Sequence, residues 1–419
     1  MRHRKLILLP LLLALCLLLG TGCAQTKKAP AQYRVAVATD LHYLAPSLRD
    51  GGEMFQKVMA AGDGKVTETC DEITDAFLGE VLALRPEALI LTGDLSYNGE
   101  RESHLALAEK LGALEAAGVP VLVLPGNHDL YRACYAFLGE AAQPVPSVTA
   151  EEFREIYAAF GFDDALSLDP DSLSYAARLN DSTRVLMLDA NTLHDPCGLS
   201  DKTLEWIEGQ LRAADRAGQQ VLAACHQNLY RHTMFGPGYV VNGAEKLQAL
   251  LEKHQAPLFL SGHLHIQHIL TEGGVTEIAT SSLTMGACHY ALLTASEGEL
   301  CYEARPVPVS RWAREQGLTD PRLLEFEGYA AGRLFNRTRQ QAEEQLAGWG
   351  LAPEEAQRLA DYAAALNLAY FSGDLTGVQA LDPEGALFRQ WRESGTLFGA
   401  YFAMLEPELG RGYRHWPAP

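Results

Sequence analysis

Short apolar runs alternate with segments of helical periodicity over much of the chain. Tyr33–Thr39, Ala88–Thr92 and Val119–Leu124 are apolar runs of strand length, and the spacing of apolar positions predicts helices over Asp71–Leu84 and Glu102–Ala117 between them. Strand–helix–strand alternation calls for a parallel sheet with right-handed crossovers. Tyr131 to Leu168 reads as a lid-like insertion, with helical periodicity in Glu151–Phe160. Strands then follow at Leu173–Leu179 and Thr183–Leu188, turned by Asn180-Asp181. A helix over Asp201–Ala217 leads to strand Gln220–Cys225, and one over Ala244–His254 leads to strand Pro257–Ser261. Three or four short strands between His265 and Glu303 lie too close together for helical crossovers, so that end is expected to be antiparallel.

The pattern changes at Pro306-Val307-Pro308. From Arg311 on there is no Lys, and helices are expected over Pro321–Ala347, Pro353–Ser372, Pro383–Ser394 and Leu397–Leu405. Three of them open with Pro, whose missing N–H costs nothing in a first turn. Aromatics such as Trp349, Tyr362, Trp391 and Phe402 suit the core of a small bundle or its docking face. The expected fold class is α/β: two packed sheets with helices outside over residues 33–305, then an all-helical domain over 306–419.

The chain's 419 residues are 47% hydrophobic, which excludes a disordered chain, a collagen and a multi-span membrane protein. Arg2, Arg4 and Lys5 precede the apolar run Leu6–Leu19, too short to span a bilayer and suited to a signal-peptide core. Gly20-Thr21-Gly22-Cys23 resembles a bacterial lipobox, with Gly20 where Leu is usual. Residues 1–22 are therefore read as a signal peptide, Cys23 as a lipidation site and residues 23–32 as a tether, which places the protein outside the cytoplasm on a membrane anchor. A net charge of −19 argues against a nucleic-acid-coating surface. Cys70, Cys134, Cys197, Cys225, Cys288 and Cys301 show no CxxC spacing and read as buried free thiols.

The unusual polar residues fall at strand ends. Asp40-Leu41-His42 follows the first strand, Gly93-Asp94 the second and Gly126-Asn127-His128-Asp129 the third. His226 follows Gln220–Cys225, and Gly262-His263-Leu264-His265 follows Pro257–Ser261. The carboxyl edge of such sheets is where ligands bind. Asp40, Asp94, Asn127, His42, His226, His263 and His265 supply hard oxygens and imidazoles without a thiolate, a set that suits Fe, Mn or Zn. A pair of cations needs one bridging carboxylate, and it would invert the local field of an acidic protein.

This five-part pattern resembles the calcineurin-like metallophosphoesterase superfamily over about residues 33–305. The resemblance implies a four-layer α/β/β/α sandwich forming the catalytic domain. It implies one metal on Asp40, His42, Asp94 and His265, and a second on Asp94, Asn127, His226 and His263, with Asp94 bridging. It also implies attack by a metal-bound hydroxide, with His128 as general acid and Asp129 orienting it. The DxH form, Asn98-Gly99-Glu100 and the appended helical domain are similar to bacterial cyclic-nucleotide phosphodiesterases. Tyr97 stands where purple acid phosphatases have a ligand, but His42 already fills that coordination position. Asn98, His104 and His194 are expected substrate contacts. The expected partners are a small phosphodiester or nucleotide and, through lipid, the membrane. Cyclic 2′,3′ products or glycerophosphodiesters would suit the location better than regulatory nucleotides. The alternatives are a phosphomonoesterase of acid-phosphatase or nucleotidase type, and a non-catalytic ligand-binding lipoprotein.

Overall fold

The first three apolar runs become neighbouring parallel strands. The computed structural model describes residues 32–296 and 298–417. In it β1 (Tyr33–Ala38), β2 (Ala88–Leu91) and β3 (Val121–Val123) pair in that order. Helices α1 (Glu53–Ala61) and α2 (Cys70–Leu84) connect β1 to β2, and α3 (Arg101–Ala116) connects β2 to β3. The insertion after β3 departs from the expectation. It opens with a hairpin, β4 (Cys134–Leu138) and β5 (Ala141–Val145), before the short α4 (Ala150–Ile156). The exposed AAQPV sequence of β5 carries no apolar alternation that would have announced it.

A second sheet follows. Its chain segments are β6 (Ser167–Leu168), β7 (Tyr175–Asn180), β8 (Thr183–Leu188), α5 (Asp201–Ala217), β9 (Gln220–Cys225), α6 (Ala244–Lys253), β10 (Leu258–Ser261), β11 (His268–Glu272) and β12 (Val275–Ala279). Its order is β11-β12-β10-β9-β8-β7-β6. Alternate residues of β8 explain the layering. Val185 and Met187 join the core shared with β1, whereas Leu186 and Leu188 pack with Ile207 of α5 and Leu247 of α6. Strands β13 (His289–Ser296) and β14 (Glu299–Pro306) return antiparallel to the first sheet beside β1.

The remaining chain is α7 (Val309–Glu315), α8 (Pro321–Leu324), α9 (Phe326–Leu346), α10 (Pro353–Phe371), α11 (Ala386–Arg392) and α12 (Leu397–Leu405). The helix expected over Pro321–Ala347 breaks at Glu325, whose φ of −123° and ψ of 38° are not helical. Leu359, Tyr362, Trp391 and Phe402 form a core of their own. The tail then returns as β15 (His415–Trp416), pairing antiparallel with β14, a two-residue strand too short for any periodicity. Five of the six cysteines expected as thiols are buried and free; Cys301 is free but exposed on β14.

Candidate metal centre

Turns at five strand ends deliver the polar residues, and the backbone there is unusual. Asp40, His42, Asp94, His263 and His265 have φ of 51°, 42°, 49°, 71° and 60°. Left-handed backbone of this kind costs a residue with a side chain on the order of 1–3 kcal/mol and persists only where the surroundings enforce it. Here main-chain bonds tie the turns together: Asp40 N–H donates to Gly93 O and His42 N–H to Asp94 O, both at 3.0 Å. His263 N–H donates to Asp40 Oδ2 at 2.9 Å. Glycine makes room: a Cβ on Gly126 would lie 2.1 Å from Asp94 Oδ1, and one on Gly262 2.0 Å from Thr39 Oγ1 and 2.6 Å from Asp40 Oδ2.

The side chains converge into two groups that share Asp94. One is Asp40, His42, Asp94 and His265; the other is Asp94, His226 and His263, with one ligand atom per residue mutually within 4.8 Å in each. Asn127 joins the second group, its Oδ1 3.1 Å from His226 Nε2. The structure thus brings all seven expected ligand residues together. His42 Nε2 faces His265 Nε2 at 3.1 Å and lies 3.7 Å from both Asp40 and Asp94 oxygens. Asp40 Oδ1 is buried with no aligned donor, although His265 Nε2 is 3.1 Å away. Facing imidazole nitrogens around an orphaned buried carboxylate oxygen fit divalent cations that accept oxygen and nitrogen ligands.

Two histidines are oriented from outside. His226 Nδ1 donates to Thr92 O at 2.8 Å and His263 Nε2 to Gly238 O at 3.0 Å, since a carbonyl can only accept. The nitrogens left to face the cluster are His226 Nε2 and His263 Nδ1. Burial opposes charge on His226, but Asp94, with Asp40 behind it, outweighs burial and raises its pKa to about 9. Burial likewise opposes charge on Asp94, yet His226 holds that carboxyl well below the usual range. Burial, reinforced by charge on His226, pushes His263 down to about 4 and keeps it neutral.

His128 stands beside the cluster. Its N–H donates to Asp94 Oδ1 at 2.8 Å, and its ring lies 5.2 Å from that of His42. The ring is oriented by Asn98, whose Oδ1 lies 2.9 Å from His128 Nδ1, and not by Asp129. Asp129 is fully buried, and its carboxylate is already saturated by Gly126 N–H, Leu95 N–H, Ser96 N–H and the Ser96 hydroxyl. Asn98, expected at the substrate, spends its amide on His128 and on Ala133 O, 3.0 Å away. His104 is not a substrate contact: it is fully buried, bonded to Tyr157 Oη and Asp129 O, both at 3.0 Å. His194 is exposed beside Tyr131, Arg154 and Asp171, in a hollow lined by none of the seven ligands. Tyr97 lines the space beside His128.

Sequence reasoning missed Asp63 and Lys65. Lys65 Nζ lies 2.6 Å from Asp63 Oδ2. With Thr67, Tyr97, Asn98 and His128 they line a hollow of about 400 Å³. Asp63 also lines a second hollow of about 390 Å³, with His263, His265 and residues of α9, α10 and α12. The only sequence signal was a lysine set among glycines in an acidic chain, Gly62-Asp63-Gly64-Lys65.

Two family models match the chain. One described as "Calcineurin-like phosphoesterase" covers residues 33–267, and one described as "C-terminal domain of cyclic nucleotide phosphodiesterase" covers residues 308–404. The glycerophosphodiester phosphodiesterase GpdQ of Enterobacter lignolyticus is 31% identical over 132 residues, 31% of this chain and 38% of that protein. A protein of Arcobacter nitrofigilis named "Probable glycerophosphodiester phosphodiesterase GpdQ" is 27% identical over 239 residues, 56% of this chain and 77% of its own. The 3′,5′-cyclic adenosine monophosphate phosphodiesterase CpdA of Escherichia coli is 26% identical over 210 residues, 48% of this chain and 64% of that protein. The match therefore spans well under half of the first of these relatives.

Proposed function

Because this chain belongs to the calcineurin-like phosphoesterase family, we propose that it is a phosphodiesterase using two divalent or trivalent ions, Fe, Mn or Zn, held as the sequence implies. The observation that carries the diester is the pair of hollows. One is lined by His128 and the other by His263 and His265, and they meet at Asp63. A monoester has one substituent to house; a diester has two. Relatives named for cyclic-nucleotide and glycerophosphodiester hydrolysis support the same class. The substrate is a small phosphodiester: an open diester would fill both hollows, whereas a cyclic nucleotide, the class named in the second family model, carries both ester oxygens on one sugar and would fill one of them with its base.

Bound ions would act as Lewis acids on the phosphoryl group and acidify a water. Asp94 is the residue both groups share, so it fixes their spacing. As an imidazolium, His128 donates Nδ1–H to Asn98 and would give the proton on Nε2 to the departing oxygen, which leaves the ring neutral. Lys65, its charge balanced by Asp63, lines the same hollow and offers ammonium N–H donors to the substrate. We place this work outside the cytoplasm, on a lipid anchor at Cys23. The signal peptide, Cys23 and residues 24–31 lie outside the described residues, and among those described no helix is long and apolar enough to cross a membrane.

The test is reconstitution with Mn, Fe or Zn and assay on bis(p-nitrophenyl) phosphate and p-nitrophenyl phosphate. Faster hydrolysis of the diester is expected, and a monoester preference would overturn the reading. Asp94→Ala is expected to lose both ions by elemental analysis, because its carboxylate is common to both groups. Retention of two ions would refute that assignment.

A further inference from the structure

The second hollow, about 390 Å³, is walled by rings from two directions. Phe235 and Tyr239 come from the loop after β9, their ring centroids 5.6 Å apart at 30°, and Tyr239 lies 5.0 Å from His263. Phe371, Phe398 and Tyr401 come from α10 and α12. We propose that this hollow, half built by the helical segment, is the subsite for the substituent that stays on phosphorus, and that it takes a planar aromatic ring. The proposal rests on the phosphodiesterase reading and narrows it.

Three observations carry it. The hollow is lined by His263 and His265 and not by His128, which lines the other, so the departing oxygen belongs with the other hollow and the retained group with this one. Apart from the exposed amide of Gln341 at its edge, the polar groups of its helical wall are already engaged, Tyr370 Oη by His232 O and the rest by one another. Tyr401 Oη donates to Asn367 Oδ1 at 2.7 Å, Asn367 Nδ2 to Thr338 Oγ1 at 2.9 Å, and the Thr338 hydroxyl to Leu334 O at 3.0 Å. That wall therefore offers ring faces and methyl groups. A substituent rich in hydroxyls would bury them with few partners, which costs free energy, whereas a ring loses nothing. Lastly, Phe235 and Leu397 line this hollow while 48% and 61% exposed, apolar surface that a bound ring would cover.

The experiment holds the leaving group constant. kcat/KM is measured on metal-loaded protein for the methyl, cyclohexyl and phenyl esters of p-nitrophenyl phosphate. The phenyl ester is expected to exceed the methyl at least tenfold, about 1.4 kcal/mol, and to exceed the cyclohexyl. In Phe235→Ala and Phe398→Ala the phenyl-to-methyl ratio should fall toward one. Phe235 is half exposed, so its truncation leaves the fold in place. Calorimetric titration with phenylphosphonate and methylphosphonate repeats the comparison without turnover, with the same tenfold preference expected. Equal constants for methyl and phenyl esters, a cyclohexyl ester as good as the phenyl, or a preference untouched in both variants overturns the subsite and leaves the phosphodiesterase reading standing. No hydrolysis of any of the three overturns both.

Discussion

Asn98 sets what His128 can do. An amide oxygen 2.9 Å from Nδ1 accepts a hydrogen bond from it, which keeps the proton on Nδ1 and leaves Nε2 as the nitrogen that exchanges protons. His128→Ala should keep its metals while kcat falls about 10²–10⁴-fold, the usual share of a general acid. Asn98 lines the hollow beside His128, but its amide is engaged by His128 and Ala133 O, so it is a positioning residue. Asn98→Ala should lower kcat with KM little changed, and Asn98→Asp, which keeps the acceptor, should restore most of the loss. An alanine variant with the parent's kcat would remove Asn98 from the mechanism. The sequence pointed to Asp129 because it is the neighbour in the chain. The acceptor lies thirty positions earlier, brought in because Ser96 and Leu95 bind Asp129 and dock the two loops on each other. Which acidic or amide group reaches a ring is decided by loop packing, and adjacency does not report it.

At the scale of elements, the strands and the ligands were legible together, because each ligand lies within four residues of the end of an apolar run. Thr183–Leu188, Asp201–Ala217 and Gln220–Cys225 form where the pattern put them. Helix α1, the β4–β5 hairpin and the break at Glu325 were not legible: their sequences are short, mixed in polarity, or continuous with a longer periodic stretch. The turn after β10 offers a sharper test of how tightly elements hold the centre. Gly262 does not have a positive φ, so its role is space and not conformational freedom. In Gly262→Ala the new methyl would sit 2.0 Å from Thr39 Oγ1 and 2.6 Å from Asp40 Oδ2, and the Thr39 hydroxyl itself donates to that oxygen at 2.7 Å. Overpacking of this kind costs roughly 1–3 kcal/mol. The expected outcome is a folded protein with a lowered melting temperature and less than its full complement of bound metal. Full metal content would show that the β1 and β10 turns can separate without losing the centre.

For the whole molecule, the change of composition at Pro306 marks a boundary in the chain but says nothing about independence, because composition cannot report what an apolar face packs against. Leu323, Phe326 and Ala330 belong to the core that also holds β1 and α2. Leu334 wedges between two loops of the first region: a Cβ on Gly64 would meet its Cδ1 at 3.3 Å, and one on Gly286 its Cδ2 at 3.0 Å. Gln267 Nε2 donates to Tyr413 O at 3.0 Å, and Tyr370 Oη to His232 O at 2.8 Å. Strand β15 covers the edge of β14. Burying one large apolar side chain is worth about 1.5–3 kcal/mol, so losing Leu323, Phe326 and Leu334 together removes a large part of the roughly 5–15 kcal/mol that holds a domain folded. A chain ended after Pro306 is therefore expected to be insoluble, or to unfold far below the full chain, which should itself melt in one transition by circular dichroism. Gly64 is the neighbour of Asp63 and Lys65, so loosening Leu334 also frees the loop that joins the two hollows. A truncated protein that melts within a few degrees of the full chain, and still binds its metals, would show that the helical segment is an attachment and not a structural part of the site.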